Sequence, residues 1–338
     1  MKERSAKRRR ESGAHLGVPL KSYWFTRTRS ISSTIESTSG QPSSGWGVNP
    51  AKEHLERAIA IYDPEHHQTL ALRYLGFDAA VYCLSGMALT LWQLGYPDQA
   101  LMRGNGALAL AQRLSDPQSL VLAERFLGEV HLFRREANAA KENAESLINR
   151  SAERGFSEWI PRATTLRGGG IVLQGRHEEG IAQIQEGLAA LRATRFELWR
   201  TPFLCLLAEA YVQTGRLDDG FSALTEAQAV ADKNEEREHE AEIHRLKGEL
   251  LLRRDESNAA EAQGCFQRAI EVARKQSAKS LELRATMSLA RLLAKEGDRD
   301  DARKMLADIY NWFTEGFDTA DLKDAKALLD ELSGYNHN

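Results

Sequence analysis

The chain has little cysteine, and its three residues, Cys83, Cys205 and Cys265, lie far apart. They give neither a metal-ligand spacing nor a disulfide framework, so a reducing, cytosolic compartment is the simple reading. No apolar run reaches the roughly 18 residues that read as a membrane span, so no membrane segment is expected. The basic N-terminus is not followed by the apolar core of about 7–15 residues that a secretory signal needs. No G-x-x-x-x-G-K-S/T phosphate loop occurs, so nothing is shaped to cradle ATP. Runs of Val and Ile are also few, while Ala, Leu, Glu and Arg dominate, which favours helix over strand. With a net charge of −3, no excess of one sign points to a nucleic-acid-binding body.

What the chain does have is internal repetition. Arg154 to Ala193 aligns with Thr194 to Lys233. Phe156 and Trp159 fall on Phe196 and Trp199, Gly175-Arg176 on Gly215-Arg216, Glu178-Glu179 on Asp218-Asp219, and Gly180 on Gly220. Small residues recur every forty positions at Ala88, Gly128, Gly168, Ala208 and Gly248. Each is followed seven residues later by a turn position, at Gly95, Arg135, Gly175, Gly215 and Asp255. A second small residue opens the next helix at Ala100, Ala140, Gly180, Gly220 and, after a two-residue insertion, Ala262. A sixth copy carries Ala290, Gly297 and Ala302. Two antiparallel helices approach to about 8–10 Å only where the crossing side chains are small, so the spacing predicts helix pairs. One pair leaves its outer faces wet, and stacking supplies the missing burial.

The ends differ from the array. Six of the first ten residues are Lys or Arg, and Thr26 to Trp46 holds eleven Ser or Thr. Residues 1–49 therefore read as a disordered, basic, Ser/Thr-rich tail, because they cannot bury enough apolar surface to offset their ordering entropy. Lys7-Arg8-Arg9-Arg10 could touch nucleic acid or anionic lipid, against a simpler reading as a solvated tail. Helical pattern begins near Ala51, where Ala51, Leu55, Ala58 and Ile59 share a face, and it stops at Asp63-Pro64. A further apolar segment covers Leu70 to Leu75. At the other end Thr319 is a candidate N-cap for a last helix. There Leu322, Ala325, Leu328, Leu329 and Leu332 form the stripe that a solvating cap needs. Residues 50–333 are assigned to the repeat domain and 334–338 to a short tail.

The positions filled by Ala208, Gly215, Gly220, Leu224 and Ala227 resemble the tetratricopeptide repeat, with a period of forty in place of the usual 34 or so. The wording of several segments resembles a particular setting of such repeats. LWQLGYPDQAL (Leu91 to Leu101), EIHRLKGELLL (Glu242 to Leu252), CFQRAIEVARKQSAKSLELRATMSLARL (Cys265 to Leu292) and WFTEGFDTADLKDAKALLDEL (Trp312 to Leu332) are similar to the C-terminal region of large bacterial signalling proteins. Those proteins carry a class III adenylate/guanylate cyclase domain and an AAA-type ATPase upstream. No catalytic residue of theirs transfers here, because neither a phosphate loop nor paired metal-binding aspartates can be placed. Ala51, Leu55 and Ala58 fit the second helix of a pair whose first helix would fall on the Ser/Thr-rich stretch. The chain is therefore expected to be a truncated or mis-started product that lost its cyclase–ATPase body.

Arg125, Glu129, Arg162, Glu209, Glu242, Arg245, Glu249 and Arg291 fall on first-helix positions that resemble the groove-facing positions of tetratricopeptide repeats. The resemblance implies a protein or peptide partner in a concave groove, against an ordinary solvated face. Trp159 and Trp199 read as inter-repeat packing before ligand stacking. Gly168-Gly169-Gly170 reads as one required small residue and two tolerated ones, with a hinge as the alternative. His66-His67 and His239 with His244 lack the spacing and third ligand of a metal site. Cys205 reads as a small buried residue, with no His–acid pair to activate it.

The expectation is thus an all-α, right-handed α-solenoid of about six helix pairs with a capping helix. It is a non-enzymatic, cytoplasmic interaction or regulatory module with no cofactor and no metal. A nucleic-acid role is confined to the basic tail, homo-oligomers are left open, and the alternative is the tail of a cyclase or ATPase.

Overall fold

The computed structural model describes residues 48–60, 62–63, 76–193, 200–234 and 236–334. Fourteen α-helices and no strand occur among them. A leading helix, α1 (Val48–Ala60), packs on α2 (Ala79–Leu94). Six antiparallel pairs follow, beginning with α2 and α3 (Pro97–Leu114), α4 (Pro117–Phe133) and α5 (Ala137–Arg154), and α6 (Ile160–Leu173) and α7 (His177–Ala193). The next are α8 (Thr201–Thr214) and α9 (Leu217–Asn234), α10 (Glu240–Arg254) and α11 (Ala259–Gln276), and α12 (Lys279–Glu296) and α13 (Arg299–Tyr310). The cap is α14 (Ala320–Leu332), whose Leu322, Ala325, Leu328 and Leu332 are buried in the terminal core. The fold is an all-α solenoid. Residues 1–47 and Leu70–Leu75 lie outside the described residues, and so does the stretch on which a first-helix partner for α1 would fall.

Local chemistry sets the helix ends. Asp78 caps α2, its Oδ1 accepting from the amides of Ala80 (2.9 Å) and Val81 (3.1 Å). Asp116 caps α4 through the Ser119 amide at 3.0 Å, and Pro97 and Pro117 open α3 and α4, where the missing N–H costs nothing. Gly95, Gly175, Gly215 and Gly297 close first helices with φ between +73° and +107°. Arg135 takes the same left-handed conformation at φ +60° without being glycine. Asp255 departs from the series: its backbone is extended, and a 3-10 turn, Glu256–Asn258, absorbs the two-residue insertion. Thr319 holds the N-cap position of α14, yet its hydroxyl donates to the Gly316 carbonyl at 2.6 Å rather than accepting from the helix.

The small residues sit at the crossings. A Cβ on Gly248 would lie 2.5 Å from the Phe266 ring of α11, and one on Gly220 2.7 Å from Leu250. The glycine triplet corrects the sequence reading in part, since two of its members, Gly168 and Gly170, meet helix backbone. Gly168 faces the α7 backbone, with the Gly180 carbonyl 2.8 Å and the Ile184 amide 2.9 Å from a Cβ. Gly170 faces the α5 backbone at Lys141 (2.9 Å) and Ala137 (3.1 Å). Gly169 faces Leu206 of α8 (2.5 Å) and Leu132 of α4 (3.0 Å). Helix α6 is thus packed on three sides, and neighbouring backbone excludes a side chain at Gly168 and Gly170.

Polar side chains tie each repeat to the next along the turn edge. Arg134 reaches Asp98 (3.0 Å), Gln174 reaches Asn138 (2.8 Å), Arg216 reaches Glu178 (3.5 Å), and Arg254 and Lys295 pair with Asp218 and Glu256. The two ends of the array also meet. Ser280 Oγ donates to the Trp92 carbonyl at 2.5 Å, and Arg284 donates to the Phe133 carbonyl at 2.8 Å. Glu315, after α13, accepts from the Asp98 and Gln99 amides at the start of α3, both at 3.0 Å. The solenoid closes on itself.

Candidate functional site

Closure turns the concave face into a bore that all six first helices line. Trp92 comes from α2, Glu129, Leu132 and Phe133 from α4, and Leu173 from α6. Phe203, Cys205, Leu206 and Glu209 come from α8, Glu242 from α10, and Leu281 and Arg284 from α12. The space left between them is about 60 Å³, enough for a few waters.

Two charged clusters stand in the concave side. On α4 and α6, Arg125 pairs with Glu129 one turn on, and both side chains are almost fully buried. The Arg125 guanidinium lies 4.3 Å over the Phe126 ring, and Arg162 lies 5.5 Å over Trp159 while donating to the Glu158 carbonyl at 3.1 Å. Burial lowers the Arg125 pKa and raises that of Glu129, against their mutual attraction. Burial, with the Arg125 charge behind it, brings Arg162 down to about 9. Desolvation outweighs pairing here, as expected for charges removed from water.

The second cluster spans α8, α10 and α12. Arg245 grips Glu242 bidentately, at 2.6 and 2.9 Å, the geometry that makes guanidinium–carboxylate bonds strong. Arg245 also approaches Glu209 (3.4 Å) and Glu249 (3.8 Å), and Ser288 donates to Glu249 at 2.6 Å. Burial alone would raise the Glu242 carboxyl; Arg245, with Arg284 and His239 beyond it, outweighs that and holds it at about 2. His239 stays neutral near pH 7, since burial takes it down to about 4 despite the Glu242 charge. One arginine thus faces three carboxylates, and the side chains of Glu209 and Glu249 remain 40% and 28% exposed.

All eight residues singled out in the sequence lie on first helices. The structure gathers seven into these two clusters and leaves Arg291 exposed on α12. Most are held in ion pairs rather than standing open. Sequence reasoning missed Arg284, Arg135, Trp92, Phe133 and Phe203. A signal for Arg284 existed: with the insertion counted, it occupies the repeat position of Arg162, Pro202 and Glu242. The aromatic lining gave no signal, because it follows from closure.

Trp159 is buried in the core beside the α6 start; Trp199 and His66-His67 lie outside the described residues. Cys205 is buried, as read, but shares the bore with His239 and Glu242. That proximity does not activate it, because burial and the Glu242 carboxylate push the thiol pKa well up, away from the thiolate a nucleophile needs. Among the described residues no group of three or more His, Cys, Asp or Glu side chains could hold a metal ion, and no helix is long and apolar enough to cross a membrane.

The arrangement defines an all-α helical-repeat protein built of stacked antiparallel pairs. No family model matches the chain. An uncharacterised protein of Rhizobium meliloti (strain 1021) is 25% identical over 253 residues, which is 71% of this chain and 23% of that protein. The chain therefore spans about a quarter of the length of the curated relative it matches. Among solved structures, a Rap protein complexed with competence and sporulation factor superposes with a TM-score of 0.52 at 12% identity, over 96% of this chain and 77% of that one. The apo form of RapI gives 0.52 at 10% identity, over 91% of this chain and 98% of that one. Such low identities show the fold alone.

Proposed function

We propose that this chain is a non-enzymatic, cytoplasmic interaction module of bacterial signal transduction that takes a protein or peptide partner on its concave face. One observation carries the reading: six first helices line a common bore, and five of them bring charged or aromatic side chains to it. Helix packing alone does not call for them, since buried charges contribute little net stability. The solved Rap complex with competence and sporulation factor supports it, as a partner-bound protein of similar fold. The acidic excess around Arg245 makes a basic or mixed-charge partner segment the better match. The test is capture of a partner from bacterial lysate by the immobilised chain. Glu209→Arg with Glu249→Arg should abolish that capture, and unchanged capture refutes the bore as the binding surface.

A second reading makes the array the sensory tail of an adenylate/guanylate cyclase or ATPase, in keeping with the wording shared with such proteins. The match to a much longer Rhizobium meliloti protein favours it. On this reading the purified chain turns over neither ATP nor GTP, and measurable cyclase activity would overturn the non-enzymatic assignment.

A further inference from the structure

The contact between the two ends differs in kind from the seams between neighbouring repeats. A solenoid holds together through nearest-neighbour interfaces, so an end-to-end contact is not required for its repeats to fold. Here it is built in detail. Glu315 accepts from the Asp98 and Gln99 amides, and the Gly316 amide returns a bond to Asp98 Oδ2 at 2.9 Å. Trp312 lies on Tyr96 with ring centroids 5.6 Å apart, and a Cβ on Gly95 would stand 2.6 Å from its ring. Arg284 bridges Asp321 (2.7 Å) and the Phe133 carbonyl, while Arg135 reaches Asp324 (2.6 Å). Arg135 does so from a left-handed turn position that α2, α6, α8 and α12 give to glycine, so backbone strain is held at this contact.

We infer that this end-to-end contact is a latch that gates the bore. Trp92, Phe133, Arg135 and Arg284 each both form the contact and line the cavity, so parting the ends uncovers it. The closed bore has room for a few waters, so a peptide or helix enters only after the latch opens. The Glu315 bonds and the Arg135–Asp324 pair are charged and exposed, so salt weakens them while leaving the apolar repeat seams intact; the Ser280–Trp92 bond and the Arg284 bridge lie deeper and are screened less. The latch is a property of the array alone; its role in admitting a partner rests on the reading of the bore as a binding surface.

The test reads the latch with no partner present. Cys205 lies in the bore, and the amides of Asp98 and Gln99 lie under Glu315. Iodoacetamide labelling, mapped peptide by peptide to separate Cys205 from Cys83 and Cys265, is compared between the full chain and Glu315→Ala at 0.1 and 1 M salt. Hydrogen exchange is followed at amides 98 and 99 and across Ala208–Tyr211 of α8. The expected result is about tenfold faster Cys205 labelling and faster exchange at 98 and 99 in the variant and in high salt, with α8 still protected. Trp312→Ala gives a second, independent opening. Labelling at the parent rate with amides 98 and 99 freed overturns the latch, and so do amides that stay protected in both variants. A parallel loss of α8 protection also overturns it, because the change is then global loosening. Failed partner capture with a working latch refutes the binding surface instead.

Discussion

Replacing Gly168 by alanine should destabilise the protein, although alanine is the better helix former. In an exposed helix interior the exchange gains up to about 1 kcal/mol. At Gly168 the added Cβ would stand 2.8 Å from the Gly180 carbonyl oxygen and 2.9 Å from the Ile184 amide nitrogen. Ordinary contact begins at 3.4 Å, so α6 and α7 must part by about 0.6 Å. Both of these atoms are backbone and cannot swing aside, and the Ile184 Cγ1 also stands 2.9 Å away. A gap of that size forfeits a quarter to a half of the dispersion well along the seam, and overpacking of this kind costs about 1–3 kcal/mol. The expected net loss is about 1–2 kcal/mol, read as a fall of a few degrees in Tm. Gly264→Ala is the internal control: it lies in α11 with nothing within 4 Å of its Cβ, so it should gain about 0.5–1 kcal/mol. A Gly168→Ala protein as stable as wild type, or a Gly264→Ala protein less stable, would refute the close-crossing argument.

Arg135→Gly removes a left-handed non-glycine residue, worth about 1–2 kcal/mol, and loses a largely exposed ion pair worth about 0–1 kcal/mol. It should melt no lower than wild type at 0.1 M salt, and a drop of several degrees counts against the strain assignment. Glu129→Leu removes the carboxylate that pairs with the buried Arg125 and should cost about 3–5 kcal/mol, whereas Arg125→Met with Glu129→Leu should recover most of it by urea unfolding; equal losses would mean the pair is not energetically coupled. The pH profile should carry two limbs. For His239 and Glu242 the folded-state pKa is depressed, so each contribution rises with pH in its window, while Glu238, raised by burial to about 7, opposes the His239 contribution between about pH 4.5 and 7. His239, about 4 when folded against 6.5, contributes stability that is lost between about pH 6.5 and 4. Glu242, about 2 against 4.5, contributes stability that is lost between about pH 4.5 and 2. His239→Gln should change the upper limb alone in thermal melts across pH, and an unchanged profile contradicts the neutral state of this half-buried side chain.

The pairs, the crossings and the cap were legible because they repeat. Ala88, Gly128, Gly168, Ala208 and Gly248 report a local constraint, one helix against its partner, and a period exposes such constraints directly. The end-to-end contact happens once. Glu315 and Asp98 are separated by more than two hundred residues and share no pattern, so closure leaves no periodic trace. The same reason hid the lining aromatics, since Trp92 and Phe133 face a cavity only because α12 returns to meet α2. The triplet at Gly168-Gly169-Gly170 was misread for a related reason. A period in one chain reports the crossing inside a pair, while Gly169 and Gly170 answer to helices of the neighbouring pairs.

The bore positions follow the opposite rule to the crossings, and that difference favours a binding surface over a mere packing face. The crossing positions hold Ala or Gly in every copy, as packing demands. One turn before the glycine-type crossing, the equivalent concave-side positions read Arg125, Thr165, Cys205 and Arg245 in successive copies. The position just after it reads Glu129, Gly169, Glu209 and Glu249. Charge at these places is neither required by the helix pairs nor uniform along the array. It concentrates at α4 and at α8–α10 and thins on α6 between them, where Arg162 is the one charge among Thr165, Gly169 and Leu173. A face built only to pack would repeat one solution, as the crossings do. A face with charged poles and a sparsely charged middle has a direction along it, and direction is what a partner segment needs in order to bind in one register.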